Sequence, residues 1–184
     1  SSLAELSSLN IPFIAIPLPN SKDNAEFEKQ CHHEEVVLQE ITGAEVFSGT
    51  IEELRDLLVS SQSTTDPIRW IHYIGHCSQR MPHGGSVTLS LVNTDSDGNQ
   101  EIMNEEDFVK IITSLEISNG EKLIKMISLN TCNSALLAQK LKEAGILHVL
   151  SWDDFCRGEA ARIFATAFYI QWYRVGNLPH VAFE

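Results

Sequence analysis

Two segments of this chain end in residues that can do chemistry together. One runs Trp70-Ile-His-Tyr-Ile-Gly-His-Cys77 and the other Lys125-Met-Ile-Ser-Leu-Asn-Thr-Cys-Asn-Ser134. In each, an apolar run stops just before a reactive side chain, His76 in the first and Cys132 in the second. A thiolate is a strong nucleophile, but a thiol of pKa ~8.5 is mostly protonated at neutral pH. An imidazole can remove that proton and later deliver it to a leaving amine. The pair therefore suits acyl transfer at an amide, with Cys132 as nucleophile and His76 as general acid/base. Taken singly, each has a plainer reading, since a cysteine at a strand end is commonly a small packed residue.

The elements around them are set by hydrophobic period. Residues 11–19 are apolar and β-branched with prolines near the end, a strand signature. Residues 22–41 turn helical, with Ala25, Cys31, Leu38 and Ile41 near one face and Glu26, Glu28, Glu34 and Glu35 on the other, and Gly43 as the stop. Residues 44–47 form a short strand. Thr50 and Glu53 make a capping box for a helix through Val59, followed by a polar loop at 60–66. A buried-type strand is expected at 68–75. Residues 86–92 alternate and then meet Asp97-Gly98, a hairpin signal with 101–103 as the return strand. Asn104 caps a helix to about Leu115, and Asn119-Gly120 makes a turn. Then come a strand at 123–129, a helix at 134–144 ended by Gly145, a strand at 148–152 and a long helix at 158–175. Residues 1–10 are a linker or lead-in segment, and residues 11–184 one domain.

Strands alternating with helices imply an α/β fold, a mostly parallel sheet covered on both faces. Ligands then meet the chain beyond the C-terminal strand ends. If the two segments above are neighbours, His76 and Cys132 share one edge of the sheet. Cys132 also falls just ahead of a helix start, where the dipole and open N–H groups favour a thiolate.

Other constellations have weaker claims. No phosphate-binding loop or dinucleotide fingerprint occurs, so no cofactor is expected. Asn93-Thr-Asp-Ser-Asp-Gly-Asn has Asp95, Asp97 and Gly98 in calcium-loop positions, but Asn93, Gln100 and Asn104 depart from that motif and a solvated turn fits better. His32, His33 and Glu35 lack metal-ligand spacing and read as a polar helical face; no metal site is expected. His72 reads as a packed or hydrogen-bonded core histidine, His83 as surface loop, and Phe164, Phe168 and Trp172 as helical core. Cys31 and Cys156 carry no assigned chemistry.

The 184 residues carry 13 Lys+Arg against 25 Asp+Glu, so the net charge is 13 − 25 = −12. Phosphate backbones and anionic lipid surfaces are held by clustered Lys and Arg, so neither nucleic acid nor a membrane is an expected partner. The longest apolar stretch, 11–18, falls short of the ~20 residues that span a bilayer. With no basic n-region at the N-terminus, a cytoplasmic protein with reduced thiols is expected. Ser1 is not an initiator Met, as expected of a piece of a longer protein.

The segments HYIGHC, SVTLSLVNTDSDGNQEIMNEEDF, ISLNTCNSALLAQKLKEAGILHVLSW and AARIFATAFYIQWYRVGN together resemble a CHAT domain, a caspase-like cysteine peptidase domain related to separase and caspases and often joined to tetratricopeptide repeats. The resemblance runs from about Ile68 to Gly176. The His76–Cys132 separation, 132 − 76 = 56 residues, is also similar to the ~50 of caspase-type enzymes. The resemblance implies a caspase-like three-layer sandwich with a mainly parallel six-stranded sheet and a small antiparallel hairpin. It also implies a cysteine endopeptidase acting on protein or peptide substrates, the protease module of a larger regulated protein with a recruiting or activating repeat domain. His76 matches the family's catalytic His and Cys132 its nucleophile. The oxyanion hole would be the backbone N–H groups of Cys132 and Cys77; relatives carry Gly at the second position, and the Cβ of Cys77 limits positive φ. Asn130 stands where basic-specific relatives carry an Asp, and Trp152 and Asp153 stand where relatives build part of the substrate pocket. Asp153 and Asp154 would favour a basic side chain there, Arg157 an acidic one. Beside the peptidase stand a caspase-fold interaction module without turnover and a generic flavodoxin-like binding domain.

Overall fold

The computed structural model describes residues 12–15, 25–47, 51–65, 67–74, 77–80, 86–94, 100–117, 119–153 and 157–174. Strands β1 (Pro12–Ala15), β2 (Glu45–Phe47) and β3 (Trp70–Ile74) alternate with helices α1 (Ala25–Thr42) and α2 (Ile51–Gln62). The next three described elements are strands: β4 (Cys77–Arg80), β5 (Ser86–Thr94) and β6 (Gln100–Asn104). The rest is α3 (Glu105–Thr113), β7 (Met126–Asn130), α4 (Ala135–Glu143), β8 (His148–Leu150) and α5 (Gly158–Tyr169), which continues as a π-helical turn at Ile170–Arg174. The fold is α/β, as the alternation predicts.

Five strands form one sheet in the order β2-β1-β3-β7-β8, parallel at every pairing. The order reverses at β1, so crossovers to one side and the other put helices on both faces. β4, β5 and β6 form a separate antiparallel sheet. The expected hairpin is therefore there, with a third strand that the sequence did not predict. Cys77-Ser-Gln-Arg80 has no alternating apolar pattern; it pairs through its backbone along the free edge of β5. Among the described residues the parallel sheet has five strands where six were expected.

Period-2 alternation sorts β3 and β7 between two cores. Ile71, Tyr73, Ile127 and Leu129 pack with α2, α3 and α4 through Leu54, Leu58, Phe108, Ile112, Leu137 and Leu141. Trp70 and Met126 pack on the other face with Leu38 of α1 and Ala165, Phe168 and Tyr169 of α5. The neighbouring positions on that second face are polar: His72, Ser128 and Asn130, all buried.

Element ends follow local chemistry. Asn104 caps α3 as expected, its Oδ1 accepting from Asp107 N at 2.8 Å. Gly43 (φ +70°) and Gly145 (φ +102°) close α1 and α4 in the left-handed region that glycine favours. β7 begins at Met126 rather than 123, because Leu123 N donates to Leu115 O and Glu116 bridges Lys122 around the 119–120 turn. One expectation for α1 is wrong. Glu34 is not on the outer face: it lies three residues from Cys31 and four from Leu38, in the buried stripe, and is 3% exposed.

Thr50, His76, His83, the Asp97-Gly98 turn, Asp154 and Cys156 lie outside the described residues.

Candidate functional site

β3 and β7 are hydrogen-bonded neighbours from Trp70↔Met126 to Ile74↔Asn130, with the offset between partners held at 56 throughout. Two residues beyond Asn130 the chain reaches Cys132, in the turn between β7 and α4. Cys132 is half-buried and is a thiol, not half of a disulfide. The turn is sharp: Asn133 sits at φ +53°, a left-handed conformation that asparagine tolerates better than most residues. Ser134 holds it together. Its hydroxyl donates to Thr131 O at 2.9 Å and accepts from Trp152 N at 3.1 Å, while its own N–H donates to Trp152 O at 2.9 Å. The nucleophile candidate is thus clamped to the segment that follows β8.

On the other side of this clamp is a cavity of about 220 Å³ at the C-terminal ends of β7 and β8. That is smaller than the ~300–1,000 Å³ of small-molecule sites, room for one side chain rather than a cofactor. Leu129, Leu150, Ser151 and Trp152 form much of it, with Ser128, Asn130 and Asp153. Phe164, expected to be plain core, is half-buried and completes the wall, its ring edge-to-face with Trp152 at 5.6 Å. Asp153 is exposed, and among the described lining residues it alone is ionisable.

Asn130 does not open toward this cavity as a free amide. Its Nδ2 donates to Glu34 Oε1 at 2.5 Å and to Ala161 O at 3.1 Å, and its Oδ1 accepts from Trp152 Nε1 at 2.7 Å. Glu34 Oε1 also meets His72 Nε2 at 2.7 Å, and His72 Nδ1 meets the Tyr169 hydroxyl at 2.7 Å. A carboxylate only accepts, so Nε2 carries the imidazole hydrogen, and Nδ1 of a neutral ring takes the phenol hydrogen. Burial holds the Tyr169 phenol well above its usual titration range, and the nearby Glu34 charge adds to this, while bonds to Ser128 and Trp70 pull the other way. Tyr169 therefore stays a donor. His72, expected to be a satisfied core histidine, is one, fully buried between two polar partners. The missed member is Glu34, whose position relative to Cys31 and Leu38 was the available signal.

Of the residues singled out from the sequence, Asn130, Trp152 and Asp153 come together around the cavity, and Cys132 lies two residues from Asn130. Cys77 opens β4, where it pairs with Leu89. Arg157 is exposed at the start of α5. His32 and His33 are exposed on α1. Among the described residues no group of three or more His, Cys, Asp or Glu could hold a metal, and no described helix is long and apolar enough to cross a membrane. No protein-family model and no curated protein sequence matches this chain.

Proposed function

We propose that the chain is a cysteine endopeptidase domain of the CHAT type, built on a caspase-like three-layer sandwich and working within a larger regulated protein. The observation that carries this reading is the pairing of β3 with β7. The register offset of 56 residues equals the spacing of His76 from Cys132, and each residue stands two positions past the last paired residue of its strand. The resemblance of the surrounding segments to CHAT domains, and the turn that presents Cys132 ahead of α4, support the same reading.

In this mechanism His76 takes the Cys132 proton and the thiolate attacks the scissile carbonyl. The N–H groups of Cys132 and Cys77 stabilise the oxyanion. The intermediate collapses to a thioester as His76 protonates the departing amine, and water then hydrolyses the thioester with His76 as base. The cavity beside Trp152 takes the side chain on the acyl side of the cleaved bond.

Cys132→Ala should abolish cleavage of a proteome-derived peptide library and labelling by an acyl-type thiol-reactive probe. Labelling that persists unchanged in this variant would show that the nucleophile lies elsewhere. Cleavage by neither the wild type nor the longer protein would leave the fold as an interaction module.

A further inference from the structure

We propose that Glu34 is a positioning residue for the cavity: by engaging the Asn130 amide it holds the Trp152 indole as the cavity wall, leaving a largely apolar pocket for a substrate side chain, with the ionisable group of Asp153 at its exposed margin. The substrate half of this rests on the peptidase reading; the positioning half does not.

Glu34 does not line the cavity, and its carboxylate acts through one intermediary. Three groups in series have fixed hydrogen-bonding character. The Glu34 carboxylate only accepts, the Trp152 indole N–H only donates, and the Asn130 amide between them does both. One amide orientation satisfies the series, with Nδ2 toward Glu34 and Oδ1 toward Trp152, and that is the one observed. The second Nδ2 hydrogen goes to Ala161 O, so both amide donors are spent. Without the Glu34 acceptor the flipped amide, which sets a donor against the indole donor, is no longer opposed from the α1 side.

The same arrangement decides what the pocket offers. A neutral amide with its donors spent cannot compensate a buried charge, and a charged side chain taken out of water needs a partner. Leu150, Trp152 and Phe164 supply apolar wall, and Asp153 is exposed. The pocket is therefore matched to a neutral side chain of about leucine size.

The test compares Glu34→Met, which keeps the length of the side chain and removes the acceptor, with Glu34→Gln, which keeps the acceptor and removes the charge. The Trp152 indole N–H resonance, assigned by its loss in Trp152→Phe, should move in Glu34→Met and stay near its wild-type position in Glu34→Gln, although Glu34 does not touch Trp152. On peptides, the wild type should prefer Leu over Arg or Asp at the cleaved position. Glu34→Met should raise KM for the Leu peptide roughly 3- to 10-fold, the worth of one hydrogen bond, with kcat changed less. If Glu34→Met fails to fold, Trp152→Phe cuts the same link from the other end and should raise KM for the Leu peptide at least as much, with a lower melting temperature because the buried Asn130 Oδ1 loses its donor; an unchanged KM would overturn the role. An indole resonance indifferent to Glu34→Met overturns the positioning role, and so does equal displacement by Met and Gln. A preference for Arg or Asp peptides overturns the pocket assignment. Absence of any peptide cleavage would sink the peptidase reading and the substrate half with it, while the resonance still decides the positioning half.

Discussion

The two faces of the parallel sheet are built on different physics. Toward α2, α3 and α4 the sheet presents Ile71, Tyr73, Ile127 and Leu129 to a largely aliphatic core. A buried charge on that side, Glu105, is met by Lys140 of α4. Toward α1 and α5 it presents Trp70, His72, Met126, Ser128 and Asn130. Trp70 packs with tilted rings against Tyr169 and Trp172 at centroid distances of 4.4 and 4.5 Å, and His72 and Asn130 join Glu34, Tyr169 and Trp152 in one chain of hydrogen bonds. Aliphatic contact is non-directional and tolerates exchange of like volume. A buried polar chain is directional, and each member removed leaves its partner unsatisfied in a low-dielectric interior. The face that can be repacked easily contributes Leu129 to the cavity wall, and the face that cannot be is the one that orders it.

The largest effect that would break this contrast is at His72. His72→Leu leaves the Glu34 carboxylate and the Tyr169 hydroxyl without the imidazole, and should cost about 3–5 kcal/mol, read from the shift in urea midpoint at constant slope. A loss under about 1 kcal/mol would mean that the two faces do not differ. Combining His72→Leu with Glu34→Met should fall short of the summed single losses by about 0.5–3 kcal/mol, because both act on one bond.

Tyr169→Phe should cost less, about 1–3 kcal/mol for the acceptor left at His72, but it has a signature in pH. The folded protein holds the phenol protonated above its ordinary value of 10.0. Between the unfolded and folded values the folded state binds more protons, so stability is complete below about pH 10 and falls as pH rises beyond it. Tyr169→Phe should flatten that alkaline loss. Denaturation midpoints measured from pH 8 to 11 check this, and parallel curves for the two proteins would refute it.

The smallest effect belongs to the aliphatic face. Ile127→Val removes one methylene group and should cost about 0.5–1.5 kcal/mol, with Cys132 labelling and peptide KM unchanged. A change in KM there would show that the two faces communicate across the sheet.

Much of the frame was legible in the residues. The alternation in β3 and β7, the Asn104 cap and the stops at Gly43 and Gly145 are local, and local chemistry decided them. β4 was not legible, because Cys77-Ser-Gln-Arg80 is recruited by the edge of β5 rather than by any pattern of its own. The cavity at Phe164 is not legible either, because helical spacing says only that this residue faces inward, not that a cavity lies there. The charge of Glu34 argues for the outer face of α1, whereas its spacing from Cys31 and Leu38 belongs to the buried stripe, and burial follows the spacing.

The sequence by itself determined the α/β class, the strand that leads to His76, the strand that leads to Cys132, and the neutrality of Asn130. Only the tertiary structure decided which strands are neighbours, that their register offset is 56 residues, and where the Asn130 amide points. The reason is physical. Period and capping act within a few residues, whereas a buried amide is oriented by whatever donors and acceptors the fold brings against it, here from α1 and from the end of β8, 96 and 22 residues away in the chain.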